Sequence, residues 1–277
     1  MSTQKGDRLN WLVRHLPEGL PVDAAWLSAQ GYTANLLRKY VASGWLERPV
    51  PRVYVRPRGP VAWQPIVVSL QTLLQHDLVV GGRTALELQG FAHYLRHKTT
   101  AVHLHGPRKP PTWLDGLLPD LEFVYRNDGK LFRKQRASTA PHSLDPEVRA
   151  ARARPDSIVT QPWGQWNWPL MLSGPERAFL ELLNELPEHE SFHQADVLMD
   201  GLSTLSPTRL QKLLVDCKSV KVKRLFFFFA DRHRHAWLKR LDRDAVDLGK
   251  GKRMIVKGGR FDATHMITVP GSLDGVQ

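Results

Sequence analysis

The first sixty residues consist of short amphipathic segments separated by glycine and proline, a pattern that restricts them to a compact set of short helices. The first predicted helix carries apolar side chains at i, i+3, i+4 and i+7, namely Leu9, Leu12, Val13 and Leu16. A second helix is predicted from about Val22 to Gly31, and a third from a Thr33 cap to Gly44. Three short helices with tight glycine turns are therefore expected before residue 45.

The third predicted helix has an apolar face and a basic face. Leu36, Leu37, Tyr40 and Val41 form the apolar face, and Asn35, Arg38, Lys39 and Ala42 align on the opposite one. Arginine pairs with guanine and asparagine with adenine in the major groove, where a small residue allows close approach. The pattern is typical of the recognition helix of a helix-turn-helix, while a plain three-helix bundle with a solvated basic face stays open as the alternative.

A β-hairpin is predicted directly after this helix, and it favours a winged helix-turn-helix over residues 1–57. Alternation places Val53 and Val55 on one side of the hairpin and Arg52 and Arg56 on the other, over DNA phosphates or a minor groove. The DNA-contacting set predicted for helix and wing is Thr33, Asn35, Arg38, Lys39, Ala42, Ser43, Arg48, Arg52, Arg56 and Arg58.

The rest of the chain predicts an α+β fold with a larger second domain. Pro57, Gly59 and Pro60 indicate a linker over 58–62, and residues 63–277 form the second domain, with a possible sub-boundary near 173. Its first half is predicted as mixed α/β: a helix at 66–74, a turn at 79–82 that leads into a helix at 84–88, strands at 101–105 and 121–125, and a hairpin of 157–161 with 166–172. Its second half is predicted as mainly helical: helices beginning at Ser173 and Ser206, a helix within 219–240 that buries Phe226 to Phe229, and a closing hairpin of 253–256 with 265–269.

The net charge of +12 is concentrated in two segments and predicts an anionic partner. Residues 1–60 have nine basic and four acidic side chains, and residues 218–260 have fourteen and four. The second basic zone, which is expected to extend the DNA footprint or contact RNA, comprises Lys221, Lys223, Arg224, Lys250, Lys252, Arg253, Lys257 and Arg260. The single cysteine excludes an internal disulfide and fits a reducing compartment, and the absence of any long apolar run predicts a cytoplasmic protein without membrane contact.

No pattern in the chain predicts catalysis, a metal or a cofactor. The pairs His103/His105 and His233/His235 lack neighbouring ligands, and the turn at 81–84 lacks the spacing of a phosphate-binding loop. Asp120, Glu122 and Asp128 are interpreted as solvated acids, and the tryptophans at 163, 166 and 168 as core residues rather than stacking platforms for bases.

Several segments resemble the AbiEi family of antitoxins. Residues 12–19 (LVRHLPEG) and 39–46 (KYVASGWL) are similar to its N-terminal domain. Residues 81–91 (GGRTALELQGF), 251–253 (GKR) and 257–260 (KGGR) look like its C-terminal domain. The resemblance implies a non-enzymatic repressor that binds the operator of its own operon. It also implies an antagonist of a nucleotidyltransferase-like toxin in phage defence, of the type IV kind that needs no stable complex with the toxin.

Two other functions remain open at this point. A stand-alone winged-helix regulator would use the second domain to sense a ligand, and a DNA nuclease would use the winged helix for delivery.

Overall fold

The computed structural model describes residues 3–60, 62–91, 99–133, 144–145 and 156–275. Within these ranges no helix has the length and apolar character needed to cross a membrane. The N-terminal part contains α1 (Thr3–His15), β1 (Val22–Asp23), α2 (Ala24–Ala29), α3 (Ala34–Ala42), β2 (Glu47–Val50) and β3 (Val53–Val55). Its antiparallel sheet has the order β1-β3-β2, so that the hairpin β2-β3 is extended by β1.

Local signals account for most of this part. Asp23 caps α2 by accepting the Trp26 N–H at 2.8 Å, and Gly31 and Gly44 take positive φ at the ends of α2 and α3, as glycine does most easily. The prediction that the second helix starts at Val22 is wrong, because Val22 pairs with Tyr54 in the sheet and the helix begins two residues later.

The C-terminal part is larger and mixed. Its first half contains α4 (Trp63–Thr72), β4 (Val79–Val80), α5 (Gly82–Leu88), β5 (Ala101–Gly106), α6 (Leu114–Leu117), β6 (Glu122–Asn127), β7 (Ile158–Trp163) and β8 (Trp168–Ser173). Its second half contains α7 (Pro175–Asn184), α8 (Phe192–Gly201), α9 (Pro207–Asp216), α10 (Val220–His233), β9 (Arg260–Asp262) and β10 (Ile267–Val269), with short 3-10 turns at 128–130, 236–240 and 271–275. The predicted α+β class is confirmed.

Five strands form a mixed sheet in the order β6-β5-β4-β8-β7. The predicted hairpin of 157–161 with 166–172 is confirmed as the antiparallel pair β7-β8, in which Ile158 lies opposite Ser173. β4 lies parallel to β8 and antiparallel to β5, and β5 lies parallel to β6. The two-residue strand β4 is therefore central, because it joins the hairpin to the β5-β6 pair.

The helical second half packs on α7 and α10. The predicted helix across 219–240 is confirmed as α10, which Ser219 caps and in which Phe226 to Phe229 are at most 3% exposed. The prediction that Ser173 caps α7 is wrong. Ser173 ends β8 and its hydroxyl donates to Glu181 at 3.0 Å, while Gly174 takes the cap position before Pro175.

The closing hairpin forms later in the sequence than predicted. β9 pairs with β10 so that Arg260 lies opposite Val269, whereas Arg253 makes only an isolated bridge to Ile267. Thr268 explains the difference, since its hydroxyl oxygen accepts the N–H groups of Ile255 and Val256 and thereby removes them from strand pairing.

A buried polar cluster connects the sheet to α5 and α7. Glu181 is fully buried and accepts hydrogen bonds from Arg177 at 2.8 Å and from the Gly82 N–H at 3.0 Å, with His105 at 3.8 Å. Burial alone would raise the pKa of Glu181, but His105, Arg177 and the Gly82 N–H hold it below the ordinary value. A Cβ at Gly81 would lie 2.3 Å from the Glu181 carboxylate, so only glycine fits the turn.

His103 on β5 is held neutral beside this cluster. Thr84 Oγ1 accepts the His103 backbone N–H at 3.1 Å, which leaves its own proton to donate to His103 Nδ1 at 3.0 Å. Burial first, and then the neighbouring His105, lower the pKa of His103 to about 4. Protonation would also reverse the hydrogen bond from Thr84.

Stability should therefore fall as the pH is lowered from about 6.5 to about 4. In this window the unfolded chain binds a proton that folded His103 excludes, and the lost stability is on the order of 3 kcal/mol. Replacing His103→Gln should flatten the dependence of the unfolding free energy on pH, measured by denaturant titration, whereas His189→Gln at an exposed position should leave it unchanged. Equal slopes in wild type and His103→Gln would contradict the neutral assignment.

Candidate nucleic-acid interface

One face of helix α3 packs on the N-terminal core, and the opposite face is exposed to solvent. Thr33 caps it by accepting the Leu36 N–H at 3.3 Å, and Leu37 and Tyr40 are buried beneath it. The N-terminal core thus fixes the helix through one face and leaves the other to solvent.

The outer face of α3 presents the side chains that the sequence predicts. Thr33, Asn35, Arg38, Lys39, Ala42 and Ser43 are all exposed. The helix contains no acidic residue, so nothing on it repels a phosphate backbone. Arg38 Nη2 donates to the Asn35 side-chain oxygen, which orients the two residues together on the exposed face. The Ser43 hydroxyl donates to the Lys39 carbonyl at 2.8 Å and so satisfies a carbonyl in the last turn of the helix.

The wing carries two exposed arginines. Arg48 lies on β2 and Arg52 at the tip between β2 and β3, and both are exposed. Arg52 has φ of 66°, and its carbonyl accepts the Ala24 N–H at 2.8 Å, which ties the tip to the start of α2. The wing tip is therefore fixed relative to the helical part.

Arg56 lies in a different place from its predicted one. Its guanidinium donates to the carbonyls of Val13 at 3.1 Å and Leu16 at 3.0 Å and to the Glu18 carboxylate at 2.9 Å, and its side chain is 13% exposed. Carbonyls at the end of α1 lack helical partners and attract a cation. Arg56 thus closes the end of α1 and is unavailable to phosphate. Strand alternation failed here because β3 is central in its sheet and buried on both faces.

Arg58 contacts the C-terminal part instead of solvent alone. Its stem lies against Gly19, and its guanidinium carbon is 3.7 Å from the Trp166 ring centroid and 5.4 Å from that of Trp168. Trp168 is buried as predicted, but Trp166 is 47% exposed and occupies the β7-β8 turn. This cation–π contact was missed by the sequence analysis, although a turn tryptophan between Gly164 and the positive-φ residue Asn167 is a signal of exposure.

The second basic zone divides into a buried and an exposed set. Lys221 donates to the carbonyls of Asn184 at 2.8 Å and Leu186 at 2.7 Å, and burial lowers its pKa. Lys223 is 1% exposed and Arg224 is 3% exposed. The prediction that these three contact an anionic partner is therefore wrong, because α10 is buried on nearly all sides by the helices around it. The five other members, Lys250, Lys252, Arg253, Lys257 and Arg260, are exposed.

The residues considered for catalysis or metal binding form hydrogen bonds and ion pairs that stabilise the fold. His103 and His105 belong to the polar cluster of the sheet, and His233 lies 2.8 Å from Asp196 between α8 and α10. The hydrogen bond to Asp196 raises the pKa of His233. Asp128 is buried and pairs with Arg177 at 3.1 Å, so its interpretation as a solvated acid is wrong. Across the described part of the chain, no three histidine, cysteine or acidic side chains come together as a metal site.

Comparison with known proteins covers nearly the whole chain. Residues 5–97 match the family model described as transcriptional regulator, AbiEi antitoxin N-terminal domain. Residues 100–270 match the model described as transcriptional regulator, AbiEi antitoxin, type IV TA system. No curated protein matches the chain. The fold is similar to the crystal structure of the RV2827C protein from Mycobacterium tuberculosis, with a TM-score of 0.55 and 16% identity over 96% of this chain and 90% of that one. At that identity the likeness shows a common fold alone.

The contact between Arg58 and Trp166 should be measurable as a coupling energy. In a double-mutant cycle of Arg58→Ala and Trp166→Ala, the two changes should be non-additive by about 1 kcal/mol in unfolding free energy, the value of a partly exposed cation–π pair. Lys130→Ala, at an exposed position outside this contact, combined with Trp166→Ala provides the additive control. Additive effects of Arg58→Ala and Trp166→Ala would mean that the contact contributes nothing.

Proposed function

Because the chain belongs to the AbiEi family of type IV toxin–antitoxin transcriptional regulators, we propose that it represses its own operon by binding the operator as duplex DNA through α3 and the wing. The observation that carries the proposal is the exposed face of α3, which joins amide, guanidinium and ammonium groups on one side of a rigidly held helix.

In this proposal α3 lies in the major groove. Arg38 reads guanine through paired donors, Asn35 reads adenine, and Ala42 allows the helix to approach the base edges. The hydrogen bond between Arg38 and Asn35 is exchanged for contacts with bases on binding. Lys39 neutralises phosphate, and Thr33 and Ser43 lie at the two ends of the contacting face.

The wing supplies contacts that are independent of sequence. Arg48 and Arg52 approach the phosphates beside the groove, where they set affinity and register more than base preference. Arg56 is left out of this interface, since its guanidinium group is engaged with the end of α1, whereas Arg58 is exposed and lies at the edge of the interface against Trp166.

The antitoxin function is assigned to the C-terminal part. We infer that it antagonises a nucleotidyltransferase-like toxin without a stable complex, in the cytoplasm and without catalysis by this chain. The family supports the division into a DNA-binding part and an antitoxic part. A groove of about 920 Å³ between α5 and the β5-β6 edge, lined by Thr84, His103 and Gln194, is the feature that favours the rival reading of a ligand-sensing regulator.

Replacing Arg38→Ala and Lys39→Ala together should reduce the preference for the operator over random duplex at least tenfold. Each lost base contact of this kind costs about 1–3 kcal/mol of discrimination between bases. One lost phosphate contact lowers the slope of log affinity against log salt concentration by about one. The measurement is a gel-shift competition between the promoter fragment of its own operon and a random duplex of equal length. The control is Lys239→Ala with Arg240→Ala, an adjacent exposed pair of the same charge. An unchanged preference in the α3 variant would refute the assigned helix.

The same α3 variant should still relieve toxicity. Expressed from an inducible promoter together with the toxin of its operon, full-length protein with Arg38→Ala and Lys39→Ala should restore growth as well as wild type at equal protein level. The physical reason is that both side chains are exposed and remote from the core, so the C-terminal part keeps its fold. Loss of growth rescue would show that antitoxicity depends on operator binding.

A further inference from the structure

We propose that residues 248–261, here named the basic segment, form a second nucleic-acid site that binds single strands. The segment contains Lys250, Lys252, Arg253, Lys257 and Arg260 and no acidic residue. All five cations are exposed, in contrast to the three on α10. Five positive charges in fourteen residues, with no acidic residue among them, suit a polyanionic phosphate backbone.

The segment is held in place from inside by a buried arginine. Arg224 donates to the carbonyls of Leu248 at 2.7 Å, Gly249 at 3.1 Å and Gly251 at 2.7 Å, and also to Met266 at 3.1 Å. A guanidinium with four carbonyl partners in a site that is 3% exposed fixes the backbone from which Lys250 and Lys252 project. Lysines that served only for solubility would need no such support.

The middle of the segment is fixed as well. Thr268 Oγ1 accepts the N–H groups of Ile255 at 2.9 Å and Val256 at 3.0 Å and donates to the Val256 carbonyl at 2.9 Å. Arg253 donates its own N–H to the Met266 carbonyl at 2.9 Å. The cations are therefore presented by an ordered backbone, which reduces the entropy lost on binding.

Apolar groups lie among these charges. Met254 is 73% exposed and Phe261 is 37% exposed, so two large apolar side chains reach solvent on a surface that is otherwise cationic. The Lys252 ammonium lies 4.8 Å from the Phe261 ring centroid, so a charge and an aromatic face are adjacent. A phosphate bound to Lys252 would place its base near this ring.

This combination favours single strands over a duplex. In a duplex the base faces are stacked on one another and unavailable, so Met254 and Phe261 would gain nothing, whereas an unpaired base can stack on an exposed ring. RNA and single-stranded DNA share this chemistry, and the experiment distinguishes them. The experiment also separates this site from the operator interface proposed for α3.

The test measures binding of full-length protein to fluorescein-labelled 16-nucleotide strands of mixed sequence by anisotropy, with one RNA, one DNA of the same sequence and one random duplex. Lys250→Ala, Lys252→Ala and Lys257→Ala combined should weaken single-strand binding at least tenfold and lower the slope of log affinity against log salt by about two. The charge-matched control is Lys109→Ala, Lys130→Ala and Lys239→Ala combined, three exposed lysines outside the segment, with an expected change below about twofold.

Two further variants separate the causes. Phe261→Leu keeps an apolar side chain but removes the ring, and it should weaken single-strand binding about fivefold or more. Arg38→Ala with Lys39→Ala should leave single-strand binding unchanged, so failure of the operator proposal and failure of this one give different results. Stronger binding of one strand supports the site and identifies its ligand as RNA or single-stranded DNA, and equal binding supports a site that recognises the chemistry that the two share.

The proposal is overturned by any of three results. In the first, wild-type protein binds neither strand, or the α3 variant, whose duplex site is weakened, prefers the random duplex over both strands. The segment triple variant and the control triple variant would lose affinity equally. The α3 variant would abolish single-strand binding, which would leave one nucleic-acid surface on the molecule.

Discussion

The connection between the N-terminal part and the central sheet depends on helix α4, and one buried amide fixes α4. Gln71 is fully buried; its Nε2 donates to the carbonyls of Leu78 and Met171, each at 3.0 Å, and its Oε1 accepts the Met171 N–H at 3.0 Å. On the same helix the buried Ser69 hydroxyl donates to the Pro21 carbonyl. One helix therefore attaches to the central sheet and to the turn before β1. An amide that is buried with its partners satisfied specifies one arrangement, because any shift leaves polar groups unpaired.

Buried arginines explain why charge counts in the sequence overstate the charge offered to a partner. Arg56 and Arg224 both donate to backbone carbonyls that lack partners within their own segments, at the end of α1 and in the basic segment. In each case a guanidinium, with five donors in a planar fork, satisfies several groups at once from one side chain. The sequence shows the charge but gives no sign of the carbonyls, since these come from residues about 25 to 40 positions away. Exposed and buried cations can be separated only once the tertiary fold is known.

Most predictions from local signals are accurate, with the Ser173 cap and the closing hairpin as exceptions, and predictions that need long-range pairing are not. The Thr33 cap and the helix start at Ser206 act within one turn, and the sequence contains all that they require. The β7-β8 hairpin was found for the same reason, because its strands are adjacent. Val22 failed because its partner Tyr54 lies thirty-two residues away, and an apolar residue before a helix looks the same in a strand or in a first turn. The α4 pattern predicted an amphipathic helix, yet α4 is buried all round, since it lies between two parts of the molecule. On the candidate interface, the exposure of the α3 face and of the wing tip agrees with the prediction, and their contact with DNA stays a prediction. The sequence could not show that Arg56 is engaged at the end of α1, that Arg58 packs on Trp166, or that Lys223 and Arg224 are buried.

The rigid connection between the two parts has a consequence for recognition. Arg58 packs on Trp166, and the Ser69 hydroxyl donates to the Pro21 carbonyl. The winged helix is therefore held against the C-terminal part by direct contacts and is not joined to it only by a flexible linker. A tethered module searches many orientations and loses that freedom on binding, whereas a fixed one has lost it during folding. In the proposed operator complex, α3 would therefore bind DNA with the C-terminal part already in a fixed orientation. The shape and charge of that part would then limit which flanking duplexes allow α3 to make its base contacts. Specificity in such a molecule is a property of the whole rigid body and is not confined to the few side chains that touch bases.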